Sequence, residues 1–264
     1  MHRQRFLVRT GLLVATLSLA LPRHSIAAEG TNLSWNHCFG QGTGVQNVAF
    51  ACDDNAGSHV MTGSFILGSN LNQVIGLEVV VELAAASAGL PAWWDLWDVG
   101  TCREESLTAN LVPDPADPVC VDWSHGLAAG GLARYCTFGG SCFSGPPSSP
   151  NHAKVILASA VAQGRDLAPG TEYFAFHVSI DNVGTVGAGS CGGCDVPVCI
   201  GVNSINVVPA GTIGSRLLTT GSAPGSNFIA WQGGAVPSSR SIPGCPGVTA
   251  TRRSAWGQVK ALYR

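Results

Sequence analysis

The chain has 264 residues, and only 11% of them are charged, with 14 Lys and Arg against 16 Asp and Glu. A net charge of −2 without a basic patch excludes nucleic acid as an expected partner. The 34 glycines and 15 prolines fit a chain of many short strands joined by turns.

The N-terminus predicts a secretory signal peptide over residues 1–28. Arginines precede the apolar run 11–21, and small residues follow it, which suits cleavage after Ala27 or Ala28. The run is too short for a stable membrane anchor, and no later stretch is long enough to span a bilayer. We therefore expect residues 29–264 to form one domain, secreted or held at the cell surface, with no membrane span after cleavage.

Ten cysteines follow the leader, and an even number in an exported chain predicts a disulfide framework. They are Cys38, Cys52, Cys102, Cys120, Cys136, Cys142, Cys191, Cys194, Cys199 and Cys245. Spacing cannot fix the connectivity, so the simplest expectation pairs neighbours in sequence. That expectation gives Cys38–Cys52, Cys102–Cys120, Cys136–Cys142, Cys191–Cys194 and Cys199–Cys245.

The glycine-rich stretch 184–193 contains a C-x-x-C motif that has three interpretations. A redox pair would open a helix, but Pro197 and strand-like residues follow the motif. A zinc half-site needs two more ligands, which Cys199 and Cys245 could supply, although no second C-x-x-C exists. A structural disulfide needs only the flexible glycines, and the pattern favours it.

Alternating apolar residues predict an all-β protein, an antiparallel, disulfide-stapled β-sandwich of jelly-roll type. Strands are predicted around residues 33–35, 45–52, 60–67, 73–87, 106–112, 132–138, 151–163, 172–180, 197–208, 216–220 and 227–231. In strand 172–180, Phe174 and Phe176 should share one face. The alternation changes parity inside strand 197–208, which predicts a β-bulge near Asn203 or Ser204.

Two acidic patterns are weak site candidates. The stretch 53–58 is rich in side-chain oxygens, and its pattern favours a plain turn. The alternative is that these oxygens bind a structural calcium ion, the one cofactor that the sequence suggests. Glu78 and Glu82 share a face of strand 73–87 but lie about 13 Å apart along it. Glycosidase carboxylates are about 5–9.5 Å apart, so we interpret this pair as a solvated outer face.

The aromatic stretch 90–98 is the strongest binding candidate. In extended geometry Trp93, Asp95 and Trp97 share one face, while Trp94 takes the other. Two indoles beside a carboxylate are typical of a sugar-stacking surface, and burial of the indoles in the core is the structural alternative. We take Trp93, Trp94, Asp95 and Trp97 as the candidate ligand-binding set.

No catalytic motif stands out: H-E-x-x-H, G-x-S-x-G and P-loop patterns are all missing from the sequence. We therefore predict no catalytic residue and no metal-binding residue. Whether the protein is an enzyme stays open, and the sequence favours a non-enzyme.

Three motifs carry a resemblance: CGGCDVPVCIGVNSINVV at 191–208, NFIAWQGG at 227–234 and CPGVTATRRSAWGQVKALYR at 245–264. Together they resemble an uncharacterised family of secreted, cysteine-rich bacterial proteins. Weaker matches, from NLSWNHC through LPAWWDLWDVGTCR, extend the resemblance over most of the mature chain. The family implies no function that can be transferred. More loosely, the run of strands is similar to cohesin-like and carbohydrate-binding sandwiches, which implies a fold only.

Three functions compete on this sequence. The leading hypothesis is a non-catalytic extracellular binding or cell-surface module whose partner is a glycan or a surface protein. The alternative is a secreted hydrolase that acts on polysaccharide through carboxylates brought together by the fold. A purely structural surface or appendage protein is the third.

Overall fold

The computed structural model describes residues 28–41, 44–113, 120–140, 142, 146–147, 149–211 and 214–234. These residues form twelve strands and two short 3-10 turns, at Phe39–Gln41 and Ala92–Trp94, and no α-helix. The strands are β1 (Gly30–Trp35), β2 (Asn47–Val48), β3 (Ser58–Ile66), β4 (Leu71–Ala85), β5 (Leu107–Asn110), β6 (Val121–Asp122), β7 (Ala129–Thr137), β8 (His152–Leu167), β9 (Glu172–Asp181), β10 (Val198–Pro209), β11 (Arg216–Leu218) and β12 (Phe228–Trp231). The predicted signal peptide, apart from residue 28, and the chain after 234 lie outside the described residues.

The strands form two sheets. The first has the order β1-β3-β9-β5, with β6 also beside β9, and the second has the order β2-β12-β10-β4-β8-β7, with β11 also beside β10. Every pair is antiparallel except β2–β12 and β6–β9. The predicted two-sheet β-sandwich is therefore confirmed, while the jelly-roll connectivity stays a prediction.

The core lies between the sheets and follows the alternation of the long strands. Val79, Val81 and Leu83 of β4 are buried against residues of the opposite sheet. In β10 the register shifts between Val202 and Ser204, which confirms the predicted bulge. The extra residue restores Ile205 to the inner face, so both halves of β10 contribute to the core.

The predicted face of β9 is wrong at one position. The β3–β9 register shifts between Gly63 and Ser64, so Phe174 and Phe176 do not share a face. Phe176 belongs to the core between the sheets, while Phe174 packs in a separate cluster with Cys38 and Cys120. Residues 173–176 are all apolar or aromatic, so the sequence does not mark this bulge, which appears in the pairing with β3.

The outer face of β4 is only partly solvated. Glu78 is exposed as expected, but Glu82 is 5% exposed, so its predicted solvation is wrong. Lys154 stands directly opposite Glu82 on β8, and its ammonium lies 3.2 Å from the carboxylate. A buried carboxylate needs such a partner to offset its desolvation.

Four disulfides join described cysteines: Cys38–Cys120, Cys52–Cys194, Cys102–Cys191 and Cys136–Cys142. Only the Cys136–Cys142 prediction is confirmed. The predicted Cys38–Cys52, Cys102–Cys120 and Cys191–Cys194 pairs are wrong, because the fold brings together cysteines that are 82 to 142 positions apart in the sequence. Cys199 is disulfide-bonded, and its predicted partner, Cys245, lies outside the described residues.

Candidate functional site

The aromatic stretch does not adopt the extended geometry that the sequence analysis assumed. Pro91 begins a 3-10 turn, in which the Trp94 and Asp95 amides donate to the carbonyls of Pro91 and Ala92 at 2.9 and 3.1 Å. Proline suits the start of a helical turn because its fixed φ matches and no amide is lost there. The turn changes which side chains point to the surface.

Trp93 and Trp94 point into the core and are fully buried. Their rings pack on Trp231 of β12, with centroid distances of 5.0 and 5.3 Å. The indole N–H of Trp93 donates to the Thr185 hydroxyl at 2.9 Å. These two residues therefore stabilise the fold, and neither indole has a face exposed to solvent.

Arg103 stabilises the Ala92–Trp94 turn through buried contacts. Its side chain is fully buried and donates to the backbone carbonyls of Trp93, Asp181 and Val183. The guanidinium carbon lies 4.0 Å from the centroid of the Trp93 ring, a cation–π contact. Burial lowers the pKa of Arg103 to about 10, so this side chain stays charged at neutral pH.

The C-x-x-C segment also holds the Ala92–Trp94 turn in place, through two disulfides and a hydrogen bond. Cys191 is bonded to Cys102 and Cys194 to Cys52, so each cysteine ties down a different loop. The redox-pair and zinc-half-site interpretations are therefore wrong in this structure. The carbonyl of Gly192 between the two cysteines accepts from the Trp93 amide at 3.0 Å.

The next residue, Gly193, has a φ of 109° and passes close to the Pro91 ring, where a Cβ would collide with it. This close approach explains why a glycine is needed at the second position of the motif's Gly-Gly pair.

Beside the turn lies an open cleft of about 410 Å³. It is lined by Leu90, Pro91, Ala92, Asp95, Thr137, Phe138 and Pro150, and we call it the Asp95 cleft. Phe138 is 51% exposed, which is unusual for a phenylalanine ring at the end of a strand. Of the sequence-predicted set, Asp95 alone lines this cleft, while Trp97 is half-buried and packs against the core.

The Asp95 carboxyl is the polar centre of the cleft. Burial and the nearby carboxyl of Asp98 raise the pKa of Asp95 above its usual range. Its Oδ1 atom is buried and has no hydrogen-bond partner among the described residues, which also disfavours the charged form. Burial, and then the charges of Asp95 and Asp98, raise the pKa of Tyr135, whose hydroxyl donates to the Trp94 carbonyl.

Three residues of the cleft were not predicted from the sequence, namely Thr137, Phe138 and Pro150. They come from the end of β7 and the start of β8, more than 40 residues after Asp95 in sequence. The available signal was Phe138 itself, an aromatic residue inside the predicted Cys136–Cys142 ring. Nothing in the sequence showed that this loop would lie against the 3-10 turn.

The stretch 53–58 forms a turn in which the Asp54 carboxylate accepts from the Ala56 amide at 2.8 Å. Asn55 Oδ1 accepts from the amides of Thr185 and Val186, which ties this turn to the glycine loop. Within the described ranges, no group of three or more His, Cys, Asp or Glu residues could hold a metal ion. The structural calcium ion therefore stays a prediction.

No protein-family model, curated protein or solved structure matches this chain. The resemblance to a secreted bacterial family accordingly stays a prediction. In the part of the chain that the structure describes, no helix has the length and apolar character needed to cross a membrane.

Proposed function

We propose that this protein is an exported, non-catalytic binding module that holds a sugar-like ligand in the Asp95 cleft. The observation that carries the proposal is that one partly buried carboxyl and the exposed ring of Phe138 line the same open cleft. Sugars offer hydroxyl groups to a carboxylate and C–H faces to aromatic and proline rings. The cleft presents both kinds of contact.

The surroundings support a preorganised site. The Ala92–Trp94 turn is held by Arg103, by the Gly192 carbonyl and by packing on Trp231, so Asp95 is mounted on rigid structure. A rigid site loses less conformational entropy on binding than a mobile loop. Four disulfides among the described residues support an oxidising, extracellular setting.

The test is a glycan-binding screen of the wild type, followed by titration of any hit against two cleft variants. Phe138→Ala removes the stacking ring, and Asp95→Asn removes the carboxylate. Each should weaken binding about 10- to 30-fold if the residue is a main contact. Leu217→Ala, which changes a 60% exposed residue on β11, is the control and should bind like the wild type.

The raised pKa of Asp95 predicts how binding depends on pH. The ionised carboxylate is the better acceptor for sugar hydroxyls. Affinity should therefore fall as the pH drops through a range above the usual pKa of an aspartate, and Asp95→Asn should remove this dependence. Equal affinity of the wild type, Phe138→Ala and Asp95→Asn for a glycan would reject the cleft as its site.

A polysaccharide hydrolase is the second candidate, and one observation favours it. Asp95 and Asp98 interact closely enough for one to raise the pKa of the other, and a carboxyl with a raised pKa is suited to general acid catalysis. Release of reducing ends from polysaccharide by the wild type, abolished in Asp95→Asn, would establish this activity. Binding without turnover would support the non-catalytic module.

A further inference from the structure

The charge on the chain around the Asp95 cleft is mostly negative. The residues that line the cleft belong to two stretches of the sequence, 90–105 and 135–150. Together these stretches contain four acidic residues, Asp95, Asp98, Glu104 and Glu105. All of them except Asp95 are exposed, and the Glu104 carboxylate accepts from the Gly100 amide at 2.8 Å, within the loop that follows Asp95. The cleft therefore adjoins a negatively charged loop.

The described residues form no ion pair with these acids. Arg103 is the only Lys or Arg in the two stretches, and its buried guanidinium donates to three backbone carbonyls. Between described residues, ion pairs join Lys154 to Glu82 and Arg216 to Glu29, and neither involves this loop. The negative charge beside the cleft is therefore left for a ligand to balance.

Asp95 is the acid that lines the cleft itself. Its Oδ1 atom is buried and has no hydrogen-bond partner among the described residues. The Thr101 hydroxyl lies 3.3 and 2.9 Å from the carbonyl oxygens of Asp95 and Asp98, which folds the chain so that the two acids are close. Burial, and then the charge of Asp98, raise the pKa of Asp95, and a cation within about 4–6 Å would oppose both effects.

We propose that the ligand of the Asp95 cleft is an amino sugar, bound through its protonated amine. This inference rests on the proposed function and adds a charge to the sugar. The ammonium group would donate to the Asp95 carboxylate in a charge-assisted hydrogen bond, and the exposed acids of the loop would attract it from farther away. The ring of Phe138, which is 51% exposed, suits both the C–H face of a sugar and a cation.

The apolar lining of the cleft favours an amino sugar over a basic peptide. Leu90, Pro91, Phe138 and Pro150 provide apolar surface in a cleft of about 410 Å³. A sugar ring places a rigid C–H face beside its amine, whereas a lysine side chain carries the same charge on a flexible chain that must be ordered on binding. A basic peptide is therefore an outcome for the experiment to exclude.

Titration calorimetry with three matched oligosaccharides tests the proposal. The β-1,4-linked tetramers of glucosamine, N-acetylglucosamine and glucose share one backbone and differ in the group on the second carbon, which is an ammonium, an acetamido or a hydroxyl group. At low ionic strength, and at a pH where the amine is protonated, the wild type should bind the glucosamine tetramer at least about tenfold more tightly than the other two. This preference should shrink in molar salt, which screens the charges.

Three variants assign the preference to the cleft. Asp95→Asn should remove it, so that the glucosamine tetramer binds no more tightly than the glucose tetramer. Asp98→Asn should lower it about two- to threefold, as expected for an exposed charge near the ligand. Glu78→Gln removes an exposed carboxylate from the outer face of β4 and is the charge-matched control, which should keep the full preference.

The outcomes separate this inference from the proposed function. Equal binding of the three tetramers, weakened by Phe138→Ala, would overturn the amino-sugar assignment and leave sugar binding in the cleft intact. A preference that survives in Asp95→Asn would also overturn it. Tetralysine carries ammonium groups without sugar rings, and equally tight binding of tetralysine would assign the cleft to a basic peptide instead. Absence of binding to the glucosamine tetramer would overturn the inference, whereas the proposed function fails only if the wider glycan screen finds no ligand for the cleft.

Discussion

At the scale of single residues, Arg103 has the most demanding environment in the described structure. A buried guanidinium is costly unless its donors are satisfied, and here three backbone carbonyls and the Trp93 ring satisfy it. Those carbonyls belong to the 3-10 turn and to the end of β9. The Arg103 side chain therefore connects the turn beside the Asp95 cleft to a strand of the smaller sheet.

Arg103→Ala should lower the free energy of unfolding by about 3–5 kcal/mol, since it leaves buried carbonyls without donors. Denaturant unfolding measures this change. Arg134→Ala, at an exposed position on β7, is the matched control and should stay within about 0.5 kcal/mol of the wild type. A small effect of Arg103→Ala would show that the turn does not depend on the guanidinium.

His59 predicts how stability depends on pH. Its ring lies 3.9 Å from the Phe50 ring centroid and its Nε2 lies 3.1 Å from Asn182 Oδ1. Burial is the main reason that its folded-state pKa lies below the ordinary 6.5. The unfolded chain therefore binds the proton more readily than the folded chain does. The contribution of neutral His59 to the free energy of unfolding is present above pH 6.5 and is lost as the pH falls below that value.

His59→Gln keeps a polar partner for Asn182 but does not titrate. The variant should therefore lose less of its unfolding free energy between pH 7 and 5 than the wild type does. Urea unfolding at several pH values measures both slopes. Parallel curves for the two proteins would contradict the role of His59.

At the scale of elements, strand β7 shows how closely the edge of the larger sheet is packed. Gly130 has a φ of 144°, and a Cβ there would meet the carbonyl oxygen of Ala158 on β8. At the neighbouring Gly131, a Cβ would meet nothing within 4 Å. Two adjacent glycines of one strand thus have different reasons to be present.

Gly130→Ala should lower the free energy of unfolding by about 2–3 kcal/mol, because the backbone or β8 must shift to admit the methyl group. Gly131→Ala should be neutral or slightly stabilising, since alanine restricts the unfolded chain. Thermal unfolding of the pair gives a matched comparison. Equal melting temperatures for Gly130→Ala and Gly131→Ala would show that β7 does not pack against β8 in this register.

Sequence patterns predicted the strands well because burial on one side of a sheet imposes a period of two. The β10 bulge was visible as a change of parity at Asn203. The β9 bulge was not visible, because residues 173–176 are all apolar or aromatic and fit either face. Likewise the Ala92–Trp94 turn and the Glu82–Lys154 pair arise from contacts that no local pattern encodes.

At the scale of the whole molecule, three long-range disulfides define the architecture of the loops. They join residues 82, 142 and 89 positions apart, whereas Cys136–Cys142 spans only 6. The entropy model gives about 4–5 kcal/mol for each long closure and about 2 kcal/mol for the short one. Pairing by sequence neighbours found the short ring and failed for the long ones, since the fold decides which loops meet.

Cys191 and Cys194 bind two separate loops through disulfides and so hold the turn that carries Asp95. Peptide mapping of the unreduced protein by mass spectrometry is the test. We predict that Cys191 is linked to Cys102 and Cys194 to Cys52, with no metal bound. A Cys191–Cys194 bond, or free thiols holding zinc, would show that these cysteines do not hold the turn and would remove the support for the Asp95 cleft.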